Sequence, residues 1–197
     1  LYLTAPPRPN LPPSQVTDFT AWVAVAVCDG IQAACGVRPR IKWTNDLVLD
    51  GKKLCGILTE LGLEGESNAL DYLITGIGVN VNHTPEDFDP EVRPIAASLS
   101  QVLGHPVRRA DLAVQIIRAL DRMYSQFPQN KADYLTRYRA DCLTPGNPVQ
   151  LITPSSREEA FALEIDDEFR LVVEYPDGRR SALSAGEVSV RGMYGYV

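Results

Sequence analysis

The sequence has 197 residues, of which 45% are hydrophobic, and a formal net charge of −6. This length and composition predict a globular protein with a sizeable core, either one large domain or one domain with a small appendage. The acidic balance, and the lack of any run of basic residues longer than a pair, argue against nucleic acid or an anionic membrane as a partner.

The cysteines favour a reducing compartment over a metal site. Cys28, Cys35, Cys55 and Cys142 form no CxxC pair, and neither histidine lies near a cysteine. Scattered thiols are typical of cytosolic proteins, so we expect a cytoplasmic protein. No apolar stretch reaches the ~18 residues of a membrane span, and no secretory signal is visible. Because Leu1 begins what reads as a strand already under way, we expect the sequence to be part of a longer protein.

The first predicted helix follows a proline-rich connector, Pro6 to Pro13. Ser14 is its expected N-cap, and Gly36 is placed to end it. Its apolar residues recur at helical spacing and are expected in the core: Val16, Phe19, Val23, Val27 and Ile31.

Strands follow from Ile41. Asp50-Gly51 between two apolar runs predicts a tight hairpin. A polar loop, Gly62 to Asn68, then leads to a strand predicted from Asp71 to Asn82.

Three more helices are predicted after an acidic, proline-rich loop at residues 84–94: one near 97–103, one with a long apolar stripe, and one over 132–142. The stripe contains Leu112, Ile116, Ala119, Leu120, Met123 and Phe127. Beyond Thr144 the composition changes to short β-like runs separated by turn signals, which predict a small barrel. The runs are Val149–Ile152, Ala160–Ile165, Leu171–Glu174, Ser181–Leu183 and Val188–Val190.

The strand ending at Asn82 carries an unusual face. Successive strand residues alternate faces, so Gly76, Gly78, Asn80 and Asn82 share one face. The opposite face, with Ile77, Val79 and Val81, is predicted to be core. Two glycines in a row on one face would let a flat ligand lie against the backbone, but a bulge or a tight helix contact explains them equally well.

Two lysines and an Asn-Asp pair are the remaining candidates. Strict alternation places Lys53 with Cys55, Ile57 and Thr59, and Lys52 on the other face with Leu54, Gly56 and Leu58, so one lysine is expected in a site and the other in solvent. Lys42 suits a phosphate, and oxygens of Asn45 and Asp46 suit a nucleotide or its Mg²⁺. An ordinary surface lysine and an ordinary Asn-Asp turn are the competing explanations.

Three motifs together resemble the biotin protein ligases. The family signature KW-(P/T)-ND-L followed by K-L-x-G-I-L-x-E is matched by Lys42–Leu47 and Lys53–Glu60. The strand motif G-(I/A)-G-(I/V)-N-(V/M) is matched by Gly76–Val81, and the final GE-(I/V)-S-(V/L)-R by Gly186–Arg191. The resemblance implies an α+β fold, with a mixed β-sheet backed by helices as in class II tRNA synthetases, followed by a small SH3-like β-barrel. We expect the catalytic core at residues 1–143 and the barrel at 144–197.

The resemblance also implies a two-step reaction. Biotin and ATP would give biotinyl-5′-AMP, from which a lysine of a carboxylase carrier domain takes the biotin. By match to the family motifs, Lys53 would be catalytic and contact biotin beside Gly56, Gly76 and Gly78. The nucleotide would meet Lys42, Asn45, Asp46 and Asn80, with Asn45 and Asp46 as ligands of the Mg²⁺ that accompanies ATP. Exposed edge strands would allow a homodimer.

One departure from the family pattern leaves alternatives open. Family members carry, upstream of the Leu1-Tyr2-Leu3 strand, a Ser/Thr-Asn segment and a glycine–arginine-rich loop, which find no match here. We therefore expect this sequence to hold about half of the active site. A non-catalytic binding module and a lipoate ligase are the competing functions; the Lys42–Asp46 segment and the terminal barrel favour biotin.

Overall fold

The computed structural model describes residues 1–6, 18–63, 70–153, 156–184 and 189–192. Several sequence predictions fall outside these residues. They concern the helix start at Ser14 and Val16, the connector beyond Pro6, the polar loop at residues 64–68, and Gly186–Val188 of the last motif.

The first sheet has five strands in the order β1-β5-β4-β3-β2, and all pairings between them are antiparallel. The strands are β1 (Tyr2–Ala5), β2 (Arg40–Lys42), β3 (Asp46–Leu49), β4 (Lys52–Leu63) and β5 (Leu70–Val79). Isolated parallel bridges join Ile41 to Cys142 and Lys53 to Ala96, outside these strand pairings, so the strands themselves form an antiparallel sheet and not the mixed one predicted. The predicted hairpin is confirmed, because Asp50 and Gly51 both have positive φ (50° and 74°), the combination that a type I′ turn requires.

Strand β5 is shorter than predicted. It ends at Val79, whereas the sequence pattern predicted a strand through Asn82. Beyond Val79 the backbone carbonyls bond the start of the next helical segment instead of a strand: Asn80 O accepts from Leu99 N–H (3.0 Å) and Val81 O from Ser100 N–H (2.9 Å). The Asn82 side chain continues this, because it accepts from Val107 N–H (2.9 Å) and donates to Val107 O (2.9 Å).

Four helices are described: α1 (Phe19–Cys35), α2 (Leu99–Leu103), α3 (Arg109–Gln126) and α4 (Lys131–Asp141). The predicted apolar stripes are confirmed as core, and Gly36 ends α1 in the left-handed conformation (φ 74°). Helix α1 is buried on nearly every side, because it packs against the sheet on one side and against α3 and α4 on the other. Within the described part of the chain, no helix is both long and apolar enough to cross a membrane.

The second sheet also has five antiparallel strands, in the order β10-β6-β7-β8-β9. They are β6 (Pro148–Ile152), β7 (Arg157–Ile165), β8 (Leu171–Glu174), β9 (Arg180–Leu183) and β10 (Ser189–Gly192). Alternate residues of β8, Leu171 and Val173, are fully buried, as expected of a sheet with one core face. The α+β class is confirmed; closure into an SH3-like barrel and the domain boundary at residues 143/144 stay predictions.

A cluster of charges ties α1 to α4. Arg38 donates from Nε and Nη2 to the Asp141 carboxylate (2.9 and 2.5 Å) and from Nη1 to Asp29 (2.8 Å). Arg137 of α4 also bonds Asp29. The Asp141 hydrogen bonds are the largest cause of the raised pKa of Arg38. Since Asp141 is buried, this cluster fixes the end of α4 beside strand β2.

Replacing Asp141 by asparagine is expected to lower the free energy of unfolding by about 2 kcal/mol, because the half-buried Arg38 guanidinium loses the carboxylate that it contacts through two nitrogens and keeps only that of Asp29. Asp133→Asn is the matched control: its ion pair with Arg137 is long (3.7 Å) and its side chain is 52% exposed, so it should change stability by less than about 0.5 kcal/mol. Urea denaturation of both variants measures the difference. Equal losses would mean that the Arg38 cluster adds no stability of its own.

Candidate active site

One row of the first sheet gathers four of the eight predicted site residues. Lys42 pairs with Asp46, Asp46 with Gly56, Gly56 with Gly78, and Gly78 with Tyr2. Directly paired residues of neighbouring strands project to the same face of a sheet. The adjacent row projects to the other face and lies in the core that α1 shares with the sheet: Ile41, Leu47, Cys55 and Val79. The candidate site therefore lies on the face of the sheet away from α1.

Lys53 projects to the same face of the sheet as this row, because β4 contains a β-bulge. Leu47 pairs with Cys55 and the next residue, Val48, with Lys53, so that Leu54 is an extra residue in β4. A Cβ built at Gly56 would lie 3.4 Å from Lys53 Cε, which puts the lysine on the Gly56 face. The prediction that Lys53 points with Cys55, Ile57 and Thr59 is therefore wrong, because a bulge shifts the alternation by one residue.

The bulge is held in place from outside the sheet. Lys53 N–H donates to Ile95 O (2.7 Å), and Lys53 O accepts from Ala97 N–H (2.9 Å). The segment between the acidic loop and α2 thus acts as a short added strand along the bulge. On the face of the sheet away from α1, Lys53 Nζ lies 2.6 Å from Asp46 Oδ1. Lys52, by contrast, is exposed.

Positive charge dominates the Lys42 end of the row. Burial lowers the pKa of Lys42, the Asp46 carboxylate raises it, and the nearby charges of Lys53 and Arg191 lower it. Two further cations, one from each sheet, thus act on Lys42 against a single carboxylate. Such an excess of positive charge around a partly buried position suits an anion such as phosphate.

Asn45 and Asn80 flank the charged group. Asn45 Nδ2 donates to Ile57 O (2.6 Å), which leaves the amide oxygen as the atom available to a ligand. Its backbone oxygen accepts from Ile57 N–H (3.0 Å), so the turn is tied to β4 twice. Asn80 follows the end of β5, where its N–H donates to the bulged Leu54 O (2.9 Å).

Gly76 and Gly78, which lie in neighbouring rows on the same face of the sheet, form a surface open to a ligand. Among the described residues, a Cβ at Gly76 would come no closer than 3.9 Å to another atom, and one at Gly78 would meet the Tyr2 ring at 3.5 Å and Gly56 O at 3.9 Å. Both residues lie in a stretch of regular β4–β5 pairing. Neither a bulge nor a tight helix contact requires glycine there, so the competing explanations of these glycines fail. Gly62 differs, because its Cβ would lie 2.2 Å from the Tyr72 ring.

Two residues of this face, and one from the second sheet, were not among the predicted site residues. Tyr2 is 88% exposed beside Gly78, and Leu58, which pairs with Gly76, is 60% exposed. These apolar side chains border the glycine surface. The period-2 pattern could have placed both on it. Arg191 belongs to a matched motif, but only the folded chain brings β10 near Lys42.

A cavity of about 430 Å³ lies elsewhere, on the inner side of β1 and β5. Its described lining is largely apolar, with Phe19, Ile77 and Met123, and no lysine is among these described residues. Since the charged and glycine-rich positions all lie on the opposite face, the cavity is not part of the candidate site.

Residues 3–80 match the model of the biotin/lipoate A/B protein ligase family. The bifunctional ligase/repressor BirA of Bacillus subtilis is 35% identical over 186 residues, which cover 90% of this chain and 54% of that protein. The biotin–[acetyl-CoA-carboxylase] ligase of Mycobacterium tuberculosis is 32% identical, over 83% of this chain and 59% of its own length. The chain thus spans little more than half of these relatives.

The fold has solved counterparts. The biotin protein ligase of Aquifex aeolicus superimposes with a TM-score of 0.83 at 19% identity, over 97% of this chain and 81% of that one. The same enzyme in complex with biotin and ATP gives a TM-score of 0.79 at 20% identity, over 97% and 78% of the two chains. At this identity the match concerns the fold, and it includes both sheets because it spans nearly the whole chain.

Proposed function

We propose that the chain is part of a biotin protein ligase, because residues 3–80 match the model of the biotin/lipoate A/B protein ligase family. The enzyme would join biotin to ATP, forming biotinyl-5′-AMP and releasing pyrophosphate. A lysine of a carboxylase carrier domain would then attack the acyl carbon and displace AMP. The observation that carries the proposal is the row from Lys42 to Gly78, in which a cationic cluster directly adjoins an open glycine surface.

The chemistry of the first step fits this row. Biotin has a compact bicyclic head with a planar ureido group, an apolar tail and a carboxylate, so its head would lie on Gly76 and Gly78, beside Leu58. Its carboxylate must approach an α-phosphate that is also anionic. Lys53, which lies at Gly56 between the two ends of the row, would offset that repulsion. A fixed charge placed where charge develops is worth about 3 kcal/mol in the transition state.

The nucleotide would occupy the other end of the row. Lys42 would contact phosphate, and Asn45 and Asn80 would position the nucleotide. Mg²⁺ is commonly held by one or two carboxylates together with substrate phosphates, and Asp46 with the Asn45 amide oxygen provides a fitting pair of ligands. The metal would neutralise phosphate charge. Asp46 would then exchange its contact with Lys53 for a contact with the ion, which frees the ammonium for the reacting groups.

Three further assignments belong to the same proposal. Residues 1–143 would form the core and 144–197 the SH3-like barrel. Four cysteines without a disulfide, Cys28, Cys35, Cys55 and Cys142, support a cytoplasmic enzyme. The carrier domain would be the protein partner, and a homodimer through an edge strand, measurable by sedimentation, stays a prediction.

The test is biotin-dependent exchange of labelled pyrophosphate into ATP, followed by transfer of biotin to a carrier domain. It should use the complete product of the gene beside the 197-residue chain. We expect exchange and transfer with biotin, and at least tenfold less with lipoate, a margin of ~1.4 kcal/mol. A preference for lipoate would mean that lipoate, and not biotin, is the substrate. The absence of exchange from a folded complete protein would favour a non-catalytic binding module.

A further inference from the structure

The turn between Lys42 and Asp46 is fixed by the second sheet. Trp43, which is 4% exposed, donates from its indole Nε1 to Phe169 O (3.0 Å), in the turn between β7 and β8. The Trp43 backbone N–H donates to Thr144 Oγ1 (2.9 Å), at the start of the same region. Both partners lie more than a hundred residues along the chain. Trp43, the first of the two residues between Lys42 and Asn45, is thus held by a part of the protein that carries none of the predicted site residues.

Helix α4 completes this arrangement. Tyr138, which is fully buried, donates from its hydroxyl to Thr44 O (3.0 Å). The Tyr138 ring also packs edge-on against Phe169, with ring centroids 5.5 Å apart and an interplanar angle of 81°. The two backbone positions between Lys42 and Asn45 are therefore held by one connected aromatic group, formed by Trp43, Tyr138 and Phe169.

Phe169 adopts a backbone conformation that a bulky residue seldom takes. Its φ is +57°, in the left-handed region that favours glycine, yet the side chain is 4% exposed and packs in the aromatic group. The surrounding turn supports it. The Asp166 side chain accepts from the N–H groups of Glu168 and Arg170 (both 2.9 Å), and Asp166 O accepts from Phe169 N–H (3.2 Å). This turn aims the Phe169 carbonyl at the Trp43 indole.

We propose that the Asp166–Arg170 turn is a latch that sets the orientation of the nucleotide-binding turn through Trp43. On this proposal, which rests on the proposed function, Trp43, Thr144 and Phe169 are positioning residues. They would touch neither substrate, but they determine where Lys42, Asn45 and Asp46 point. The latch should therefore affect ATP selectively, because the biotin surface at Gly76 and Gly78 is held by the regular β4–β5 pairing and not by the second sheet.

The two tryptophans of the chain provide a matched pair of variants. Trp43→Phe keeps an aromatic ring but removes the indole N–H, which leaves the buried Phe169 carbonyl without its donor. Trp22→Phe removes the same group from another buried tryptophan, whose Nε1 has no hydrogen-bond partner among the described residues. We expect the KM for ATP to rise about five- to tenfold in Trp43→Phe, as for loss of one buried hydrogen bond, and to stay within twofold in Trp22→Phe. The KM for biotin should stay within twofold in both.

A second variant keeps the test independent of how well Trp43→Phe folds. Thr144→Val removes the acceptor of the Trp43 N–H at nearly constant volume and should raise the KM for ATP by a similar factor. An unchanged KM for ATP in both variants would overturn the latch, and so would equal losses for ATP and biotin, which indicate general destabilisation. If the wild-type protein catalyses no biotin-dependent exchange, the proposed function fails instead; calorimetric titration with ATP and Mg²⁺ then compares the same variants.

Discussion

Replacing Lys53 by alanine is expected to lower biotinyl-adenylate formation about a hundred- to a thousandfold, as loss of a charge aimed at the reacting groups does elsewhere. The ammonium lies beside Gly56 and 2.6 Å from Asp46 Oδ1, where the acid group of biotin and the α-phosphate would meet. Lys52→Ala removes the same side chain from the neighbouring exposed position and should change the rate less than twofold. Pyrophosphate exchange at saturating biotin and ATP measures both variants.

The paired design tests the bulge as well as the lysine. If β4 alternated regularly, Lys53 would share a face with the buried Cys55. Lys52 would then lie on the same face as Gly56, where the candidate site is. The two substitutions would then exchange their effects. Equal losses would show that neither lysine is placed by the strand geometry. Thermal unfolding of both variants should differ little from the wild type, because the Lys53–Asp46 pair is partly exposed and such pairs add at most about 1 kcal/mol.

The sequence predicts the regular parts of this fold because local rules dominate there. Asp50-Gly51 determines a hairpin because both residues tolerate positive φ. The period of two correctly separates Ile77 and Val79 from Gly76 and Gly78, because β5 is regular over that stretch. Near Lys53 the same rule fails, since one extra residue, Leu54, exchanges the two faces. Alternation carries no information about where a bulge lies.

Local rules of this kind could not predict contacts between distant parts of the chain. The KWTND segment drew attention to Lys42, Asn45 and Asp46, but nothing in it indicates that Trp43 bonds Phe169 across the two sheets. The positive φ of Phe169 could not be predicted from the sequence either, because phenylalanine seldom adopts that conformation. Motif matching therefore found the residues that would touch ligand, whereas the residues that hold them appeared only in the folded chain.

The largest loss of stability is expected from Gly30→Ala in the middle of α1. A Cβ there would lie 2.6 Å from Ile116 Cα and 2.9 Å from Ile116 N, so α1 and α3 pack backbone against backbone. The added methyl group must push the helices apart, and overpacking of this kind costs about 3 kcal/mol. Gly36→Ala is the control: it has positive φ (74°) but open space, and should cost about 1 kcal/mol through strain alone.

A double variant identifies the atoms responsible for the crowding at Gly30. If the backbone of α3 sets the limit, truncating the side chain in Ile116→Ala cannot restore stability, because Ile116 Cα and N remain in place. The double variant should then unfold at a lower urea concentration than Gly30→Ala alone. A double variant more stable than Gly30→Ala would instead show that the Ile116 side chain keeps the helices at their distance. In that case a smaller residue at position 116 would make room for alanine at position 30, and α1 would still support the sheet that carries the candidate site.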